Sequence, residues 1–227
     1  MNENFSLVVM CFFLLASLVF LAQQTFGRVV ESSIVNLFAL HDIRSVFFKP
    51  HQLVTYMFLH GGWDHILINM FILWMFGSIL ENFWGGKRFL IFYVVCGIGA
   101  AVLHLAVLYH EMAPIFDQVH ELPVELQQQY LDAPNFPGNE ATLGASGAIF
   151  GCMAAFGYLF PNSLIYLYFF VPIKAKWAVL GYAAYELFLG VRSSAGDNVA
   201  HWAHLGGGLV GLLLVVYWNR NNRRNFY

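Results

Sequence analysis

Charge is scarce in this chain. Of 227 residues only 11% are Asp, Glu, Lys or Arg, the formal net charge is −2, and the only basic cluster is Arg220, Arg223 and Arg224 at the C-terminal end. That excludes the basic face that a nucleic-acid partner requires. Cysteine is scarce as well. Cys11, Cys96 and Cys152 all fall inside apolar runs, where free buried thiols are the expected state, so no disulfide framework is read. His-Glu-x-x-His is missing despite nine histidines, and His201 and His204 lack an evident acidic third ligand. A metal protease is therefore disfavoured, and no metal or cofactor is expected. No internal repeat occurs, which disfavours an inverted-repeat transporter.

What the chain has is apolar length. Hydrophobic residues make up 59% and aromatics 18%, with 23 Phe, far above a soluble domain. Several runs approach the roughly 20 residues needed to span a bilayer as a helix. The expected fold is all-α, a single polytopic membrane domain over residues 1–227 with six spanning helices. These are placed at about 5–23, 64–83, 89–109, 146–160, 175–189 and 199–218. The first run, Phe5 to Phe26, lacks a positive leading region and is long enough to span, so it is read as a retained helix rather than a signal peptide.

The connections differ in character. Residues 25–64 mix charges with apolar pieces too short to span, as a half-buried or interfacial loop does. Residues 110–143 hold six carboxylates and no Lys or Arg. Their middle, Pro123 to Leu131, is expected as a short amphipathic helix. Ser163 to Pro172 alternates but is also broadly apolar, and its state stays open. Six spans put both termini on one side. That side carries seven Lys and Arg against four opposite, so the positive-inside rule places both termini in the cytoplasm. The fourth segment then starts outside. At about 15 residues it covers about 22 Å, short of a hydrocarbon core of about 30 Å. Its start is expected in a water-accessible cavity below the outer interface.

That start reads Gly144-Ala145-Ser146-Gly147-Ala148-Ile149-Phe150-Gly151. Ser146 sits where backbone N–H groups are still free, a position suited to a nucleophile whose oxyanion needs donors. The competing reading is an N-cap serine followed by a Gly-x-x-x-Gly packing seam. On the octapeptide alone, packing is favoured. The sixth segment changes this, because Ala203-His204 is followed by a second seam, Gly207-x-x-x-Gly211. If the two seams pack together, Ser146 and His204 come within hydrogen-bond reach. A lone histidine would more simply bond a neighbouring helix, and His201 is given a structural or surface role. In the second segment His65 and Asn69 are four apart and share one helix face. They offer side-chain donors for an anionic intermediate, or an interhelical clamp.

Taken in order, His60-x4-His65-x3-Asn69, Gly144-x-Ser146-Gly147-x3-Gly151 and Ala203-His204-x2-Gly207-x3-Gly211 resemble the signature of the rhomboid family of intramembrane serine proteases. The resemblance covers about residues 5–220. It implies a six-helix rhomboid-like bundle and a Ser–His dyad without a third acid. Ser146 would be the nucleophile and His204 the general base and then acid. His65, Asn69 and the Ser146 amide would form the oxyanion hole. Gly144 and Phe150 would support the site, Phe150 by placing its ring against the imidazole. Asp197, the only carboxylate near His204 in sequence, is given a loop role. Glu81-x3-Gly85 matches the end of the family's second helix as a loop clamp. His51-Gln52 stands where many members carry Trp-Arg, which weakens transfer of that pair's anchoring role. The 110–143 loop is longer than in compact members and is expected to shape access above Ser146.

The same resemblance implies cleavage of transmembrane protein substrates near the outer interface, with small residues at the cut bond. Entry would be lateral between the second and fifth helices, beneath a cap formed by residues 192–198. It points to the lipid bilayer of a bacterial inner membrane and leaves oligomeric state open. An inactive relative that binds and chaperones membrane clients is the alternative, though such a protein typically lacks the serine or the histidine. A channel would need charges in the spans, where the interior candidates here are mainly His, Asn and Ser.

Overall fold

The computed structural model describes residues 6–25, 27–133, 135–167, 170–192 and 199–222. The chain begins with α1 (Leu7–Thr25), followed by α2 (Gly27–Phe38), a single turn α3 (Gln52–Thr55) and α4 (Trp63–Ile72). A π-helical turn, Leu73–Gly77, joins α4 to α5 (Ser78–Trp84), so that 63–84 is one continuous helical path. Next come α6 (Gly86–Glu111), α7 (Ala113–His120) and α8 (Val124–Leu131). They are followed by α9 (Ser146–Leu159), α10 (Ala175–Arg192) and α11 (His201–Asn222). Among the described residues, α1, 63–84, α6 and 201–220 are long and apolar enough to cross a membrane, and α9 is a shorter apolar helix. The protein is a polytopic helical membrane protein.

Helix ends follow backbone chemistry more than apolar content. Lys87 and Arg88 close an apolar run, yet both lie inside α6, because the chain breaks only at Gly85. Gly85 has φ +81°, in the left-handed region that glycine enters without a Cβ clash. Its N–H donates to the Glu81 carbonyl at 2.7 Å.

Three connections depart from the sequence expectation. The 25–64 stretch contains the twelve-residue helix α2 where a loop was expected. The 110–143 stretch contains α7 in addition to the expected helix, now α8. A small core of Phe116, Val119 and Phe136 holds it together. Residues 164–167 and 171–174 pair as antiparallel strands, β1 (Leu164–Leu167) and β2 (Val171–Lys174), with Leu164 opposite Lys174. With an isolated antiparallel bridge between Leu40 and Thr142, this is the extended pairing among the described residues, and its two-residue alternation is the strand signal.

α9 is the hub. It is buried on nearly every turn and packs against α6, α10 and α11. The glycine seams carry its contact with α11. A Cβ on Gly211 would lie 2.6 Å from Gly151 Cα, one on Gly151 would lie 3.0 Å from the Gly207 carbonyl, and one on Gly207 would strike the Gly147 carbonyl. Backbone therefore meets backbone, as small residues permit in membrane helices. On the neighbouring face of α11, a Cβ on Gly206 would lie 3.0 Å from the Gly99 carbonyl of α6.

Buried charge is placed with partners. Glu81, 5% exposed, accepts from the Val8 and Val9 N–H groups, each at 2.9 Å. These are free donors at the start of α1, where the helix dipole also favours an anion. Glu81 is thus a clamp between the first and second spans. Gln52 is fully buried and donates to the carbonyls of Phe47 (2.8 Å), Asn36 (3.1 Å) and Leu37 (3.4 Å), closing the C-terminal end of α2. His51 reaches the Leu37 carbonyl at 2.7 Å. This pair anchors the first loop despite lacking the Trp-Arg chemistry. Across the loops, Arg44 binds Asp42 through two nitrogens (2.9 and 2.7 Å), and its guanidinium lies over the rings of Tyr109 (4.3 Å) and Phe116 (4.1 Å). Asp42 beside it holds the Arg44 pKa above its ordinary value. Ser45 donates to Asn139 Oδ1 at 2.6 Å. The 110–143 segment is thereby tied to the first loop.

Two outcomes are expected for purified protein in detergent. Glu81→Ala strands two backbone N–H groups inside the bundle, at about 1–3 kcal/mol for each unsatisfied donor, and should lower the thermal unfolding midpoint clearly. Gly207→Ala forces α9 and α11 apart, an overpacking cost of about 1–3 kcal/mol. Gly181→Ala, where nothing lies within 4 Å of the added Cβ, should leave the midpoint unchanged.

Candidate active site

Ser146 is the first residue of α9, with Ala145 before it as the cap. Its hydroxyl lies half-buried at the mouth of the bundle. His204 lies in the first turn of α11, 8% exposed. The two glycine seams hold these helix starts side by side. Ser146 Oγ stands 2.7 Å from His204 Nε2, a hydrogen-bond distance. The Phe150 ring, one turn along α9, stacks on the His204 imidazole with centroids 4.5 Å apart and planes 5° from parallel. The Tyr182 ring of α10 packs against Phe150 with centroids 4.9 Å apart.

The remaining nitrogen of His204 meets a residue the sequence analysis did not single out. Glu186 of α10, 3% exposed, places Oε2 2.9 Å from His204 Nδ1 and 2.6 Å from His201 Nδ1. The expectation of no acid beside the base is corrected here. Of the two roles expected for His201, structural or surface, the structural one holds, since His201 is 7% exposed and shares the carboxylate. Asp197 lies outside the described residues. A signal for Glu186 was present in the sequence. It is a lone carboxylate inside an apolar run, and ionisable residues in spans are functional candidates by default. It is 18 residues from His204, so motif spacing did not connect them.

Glu186, His201 and His204 offer three ligand atoms within 4.8 Å of one another. The acidic third group that a His201–His204 metal pair lacked in sequence is thus present in space. The two imidazole nitrogens are each hydrogen-bonded to the one carboxylate oxygen. The three groups fit a hydrogen-bonded cluster as they stand.

His65 and Asn69 lie on α4, with His65 half-buried and Asn69 buried. His65 Nδ1 accepts from the Gly61 N–H at 3.3 Å, which leaves Nε2 to carry the proton. Asn69 Nδ2 donates to the His65 carbonyl at 2.9 Å, within its own helix. One of its two amide protons is therefore committed to α4. The link between His65 and Ser146 is Gly144. Its φ is +130°, and its N–H donates to the Tyr56 carbonyl at 3.0 Å. A Cβ there would lie 2.8 Å from His65 Nε2 and 3.8 Å from Ser146 Oγ. Glycine thus keeps open the gap between the serine hydroxyl and the His65 donor, where a developing oxyanion can be met. His60 stacks edge-on to His65 at 5.0 Å. Burial pushes its pKa down to about 4, with the neighbouring His65 acting in the same direction, so it adds no cation beside the site at neutral pH.

A cavity of about 390 Å³ adjoins His204 between α9, α10 and α11, lined by Phe150, Met153, Tyr182, Leu205 and Leu209 among others. No residue of 63–84, one wall of the expected entry, is among those that line it. The expected cap falls mostly on residues 193–198, outside the described residues.

Comparison with known proteins bears on the same segments. A family model described as Rhomboid domain matches residues 48–221. The chain is 28% identical over 205 residues to "Rhomboid-like protein 11, chloroplastic" of Arabidopsis thaliana, covering 79% of this chain and 58% of that protein. It is 31% identical over 162 residues to "Rhomboid protein 1, mitochondrial" of Saccharomyces cerevisiae, covering 70% and 39%. It is 29% identical over 108 residues to "Rhomboid protease GluP" of Bacillus subtilis, covering 48% and 15%. The chain spans about half the length of the curated relatives it matches, or less. Relatives named for chloroplasts and mitochondria give no support to the expected bacterial inner membrane; an integral membrane location stands. With the family model covering more than half of its length, from the first loop to the end of the last helix, the chain belongs to the rhomboid family.

Proposed function

We propose that the protein is an intramembrane serine endopeptidase that cuts transmembrane segments of membrane-anchored proteins. The observation that carries this reading is the 2.7 Å contact between Ser146 Oγ and His204 Nε2, made inside a bundle of apolar helices. A serine hydroxyl is a weak nucleophile unless a base accepts its proton as it attacks.

In the first step Ser146 Oγ bonds to the substrate carbonyl carbon. Its proton passes to His204 Nε2, and the carbonyl electron pair moves onto oxygen. The resulting oxyanion sits beside Gly144, within reach of the His65 Nε2–H, the free Asn69 amide proton and the Ser146 backbone N–H, which α9 leaves unpaired at its start. His204 then gives its proton to the leaving amide nitrogen as the C–N bond breaks. Water attacks the acyl-serine in the second half, with the same imidazole acting as base. Phe150 keeps the ring in the plane that both transfers need. One relative, "Rhomboid protease GluP", is named as a protease. An inactive, client-binding relative would do without the hydroxyl–imidazole contact.

Ser146→Ala and His204→Ala should each lower cleavage of a model transmembrane substrate by at least about 10³-fold and abolish labelling by a serine-directed fluorophosphonate. Thermal unfolding should hardly change for Ser146→Ala, whereas His204→Ala also strips a donor from the buried Glu186 carboxylate and should lower the midpoint of a protein that still folds. Cleavage by Ser146→Ala at the parent rate would refute the assignment and favour the client-binding role. Gly144→Ala fills the gap between His65 and Ser146. It should cost about 10²-fold in kcat, as a misplacement of about 1 Å does, in a protein that still folds.

A further inference from the structure

Resting on the reading of Ser146 and His204 as nucleophile and base, we propose that Glu186 is a positioning residue for the reaction, making the site a serine–histidine–glutamate arrangement held by two histidines. An ionised carboxylate can only accept hydrogen bonds. With Glu186 Oε2 at 2.9 Å from His204 Nδ1, that nitrogen must carry the proton. The neutral ring then bears its lone pair on Nε2, the atom 2.7 Å from Ser146 Oγ. The opposite tautomer would set a lone pair against the carboxylate and turn an N–H toward the serine, leaving no base. Glu186 therefore selects the one form of His204 that can take the proton.

His201 completes the arrangement. Its Nδ1 lies 2.6 Å from the same oxygen, so the carboxylate is held from two sides and cannot swing away from His204. α10 comes close enough to α11 for this at Gly190, where a Cβ would lie 3.3 Å from His201 Cβ and 3.4 Å from the Trp202 ring. The His204 ring is thus fixed at Nδ1 by Glu186, at Nε2 by Ser146 and on its face by Phe150. Around Glu186 the helix is apolar, with Ala183, Ala184, Leu187 and Leu189, and a side chain that only filled space would be of that kind.

The proton account is closed without moving a proton to Glu186. Ser146 gives its proton to His204 Nε2 as Oγ bonds carbon. The ring, now protonated on both nitrogens, is a cation beside an anionic carboxylate. The Nε2 proton then leaves with the amine. Glu186 stays ionised and offsets the transient positive charge, as the acid of a serine protease triad does.

The test compares the parent, Glu186→Gln and Glu186→Asp in liposomes, with a transmembrane substrate and with a fluorophosphonate. Glu186→Gln should lose about 10²-fold or more in kcat with KM within about twofold, and lose labelling rate in parallel. Glu186→Asp should recover part of both. A parent that cleaves, with Glu186→Gln within about twofold of it, overturns the role of Glu186 and leaves the Ser146–His204 reading standing. A parent that neither cleaves nor labels overturns both. Nitrogen-15 NMR of labelled histidine in the parent decides independently of variant folding. A protonated Nδ1 and bare Nε2 on His204 is the expected result, and the reverse tautomer overturns the proposal.

Discussion

Everything at the site depends on two backbones touching. α9 and α11 approach through Gly147, Gly151, Gly207 and Gly211 so closely that a single methyl at any of them would meet main-chain atoms or the Cys96 and Ala100 side chains. In lipid there is little hydrophobic drive for helices to associate, so van der Waals contact and hydrogen bonds carry the packing. Without side chains between them, the two helices have only a narrow choice of separation and stagger. Ser146 stands immediately before the first glycine of one seam, and His204 three residues before the first glycine of the other. The serine–imidazole distance is therefore set by main-chain geometry rather than by flexible loops, which is the precision a proton transfer needs.

The second constraint is the cost of charge in a bundle this apolar. Each buried carboxylate described here is matched to donors. Glu81 takes the unpaired N–H groups at the start of α1, Asp42 takes Arg44, and Glu186 takes two imidazoles. Breaking one side of such a group leaves an uncompensated charge or donor, which costs more than the pair contributes when intact. Glu81 spends its acceptors on joining the first two spans. Glu186 spends them on the two histidines of α11. The same rule of satisfaction serves architecture in one case and the site in the other.

Much of this was legible in the order of residues. The apolar runs and the paired Gly-x-x-x-Gly seams pointed to a helical membrane bundle and to the meeting of Ser146 with His204, because both signals are local and repeat at helical spacing. Phe150 came only with the family resemblance, which implies a ring against the imidazole. Glu186 was not, because its partners lie on another helix and only packing decides which faces meet. For His201 a structural role was legible but its partner was not, for the same reason: its face was known, but not what α10 would bring to it. α2 and α7 were hidden by mixed composition, since a half-buried helix carries neither a full apolar run nor a polar one. The strands at 164–167 and 171–174 were ambiguous because short apolar alternation fits several states.

Glycine packing is not uniform across the bundle, and the difference falls on the site. α11 is locked to α9 and α6 by glycine contacts on two sides. α10 meets α9 where Val179 closes on Gly157, and meets α11 at Gly190 and through Glu186. The cavity beside His204 is lined by α9, α10 and α11. The positions of nucleophile and base belong to the glycine-packed pair of helices, whereas the orientation of the base belongs to a side chain of α10.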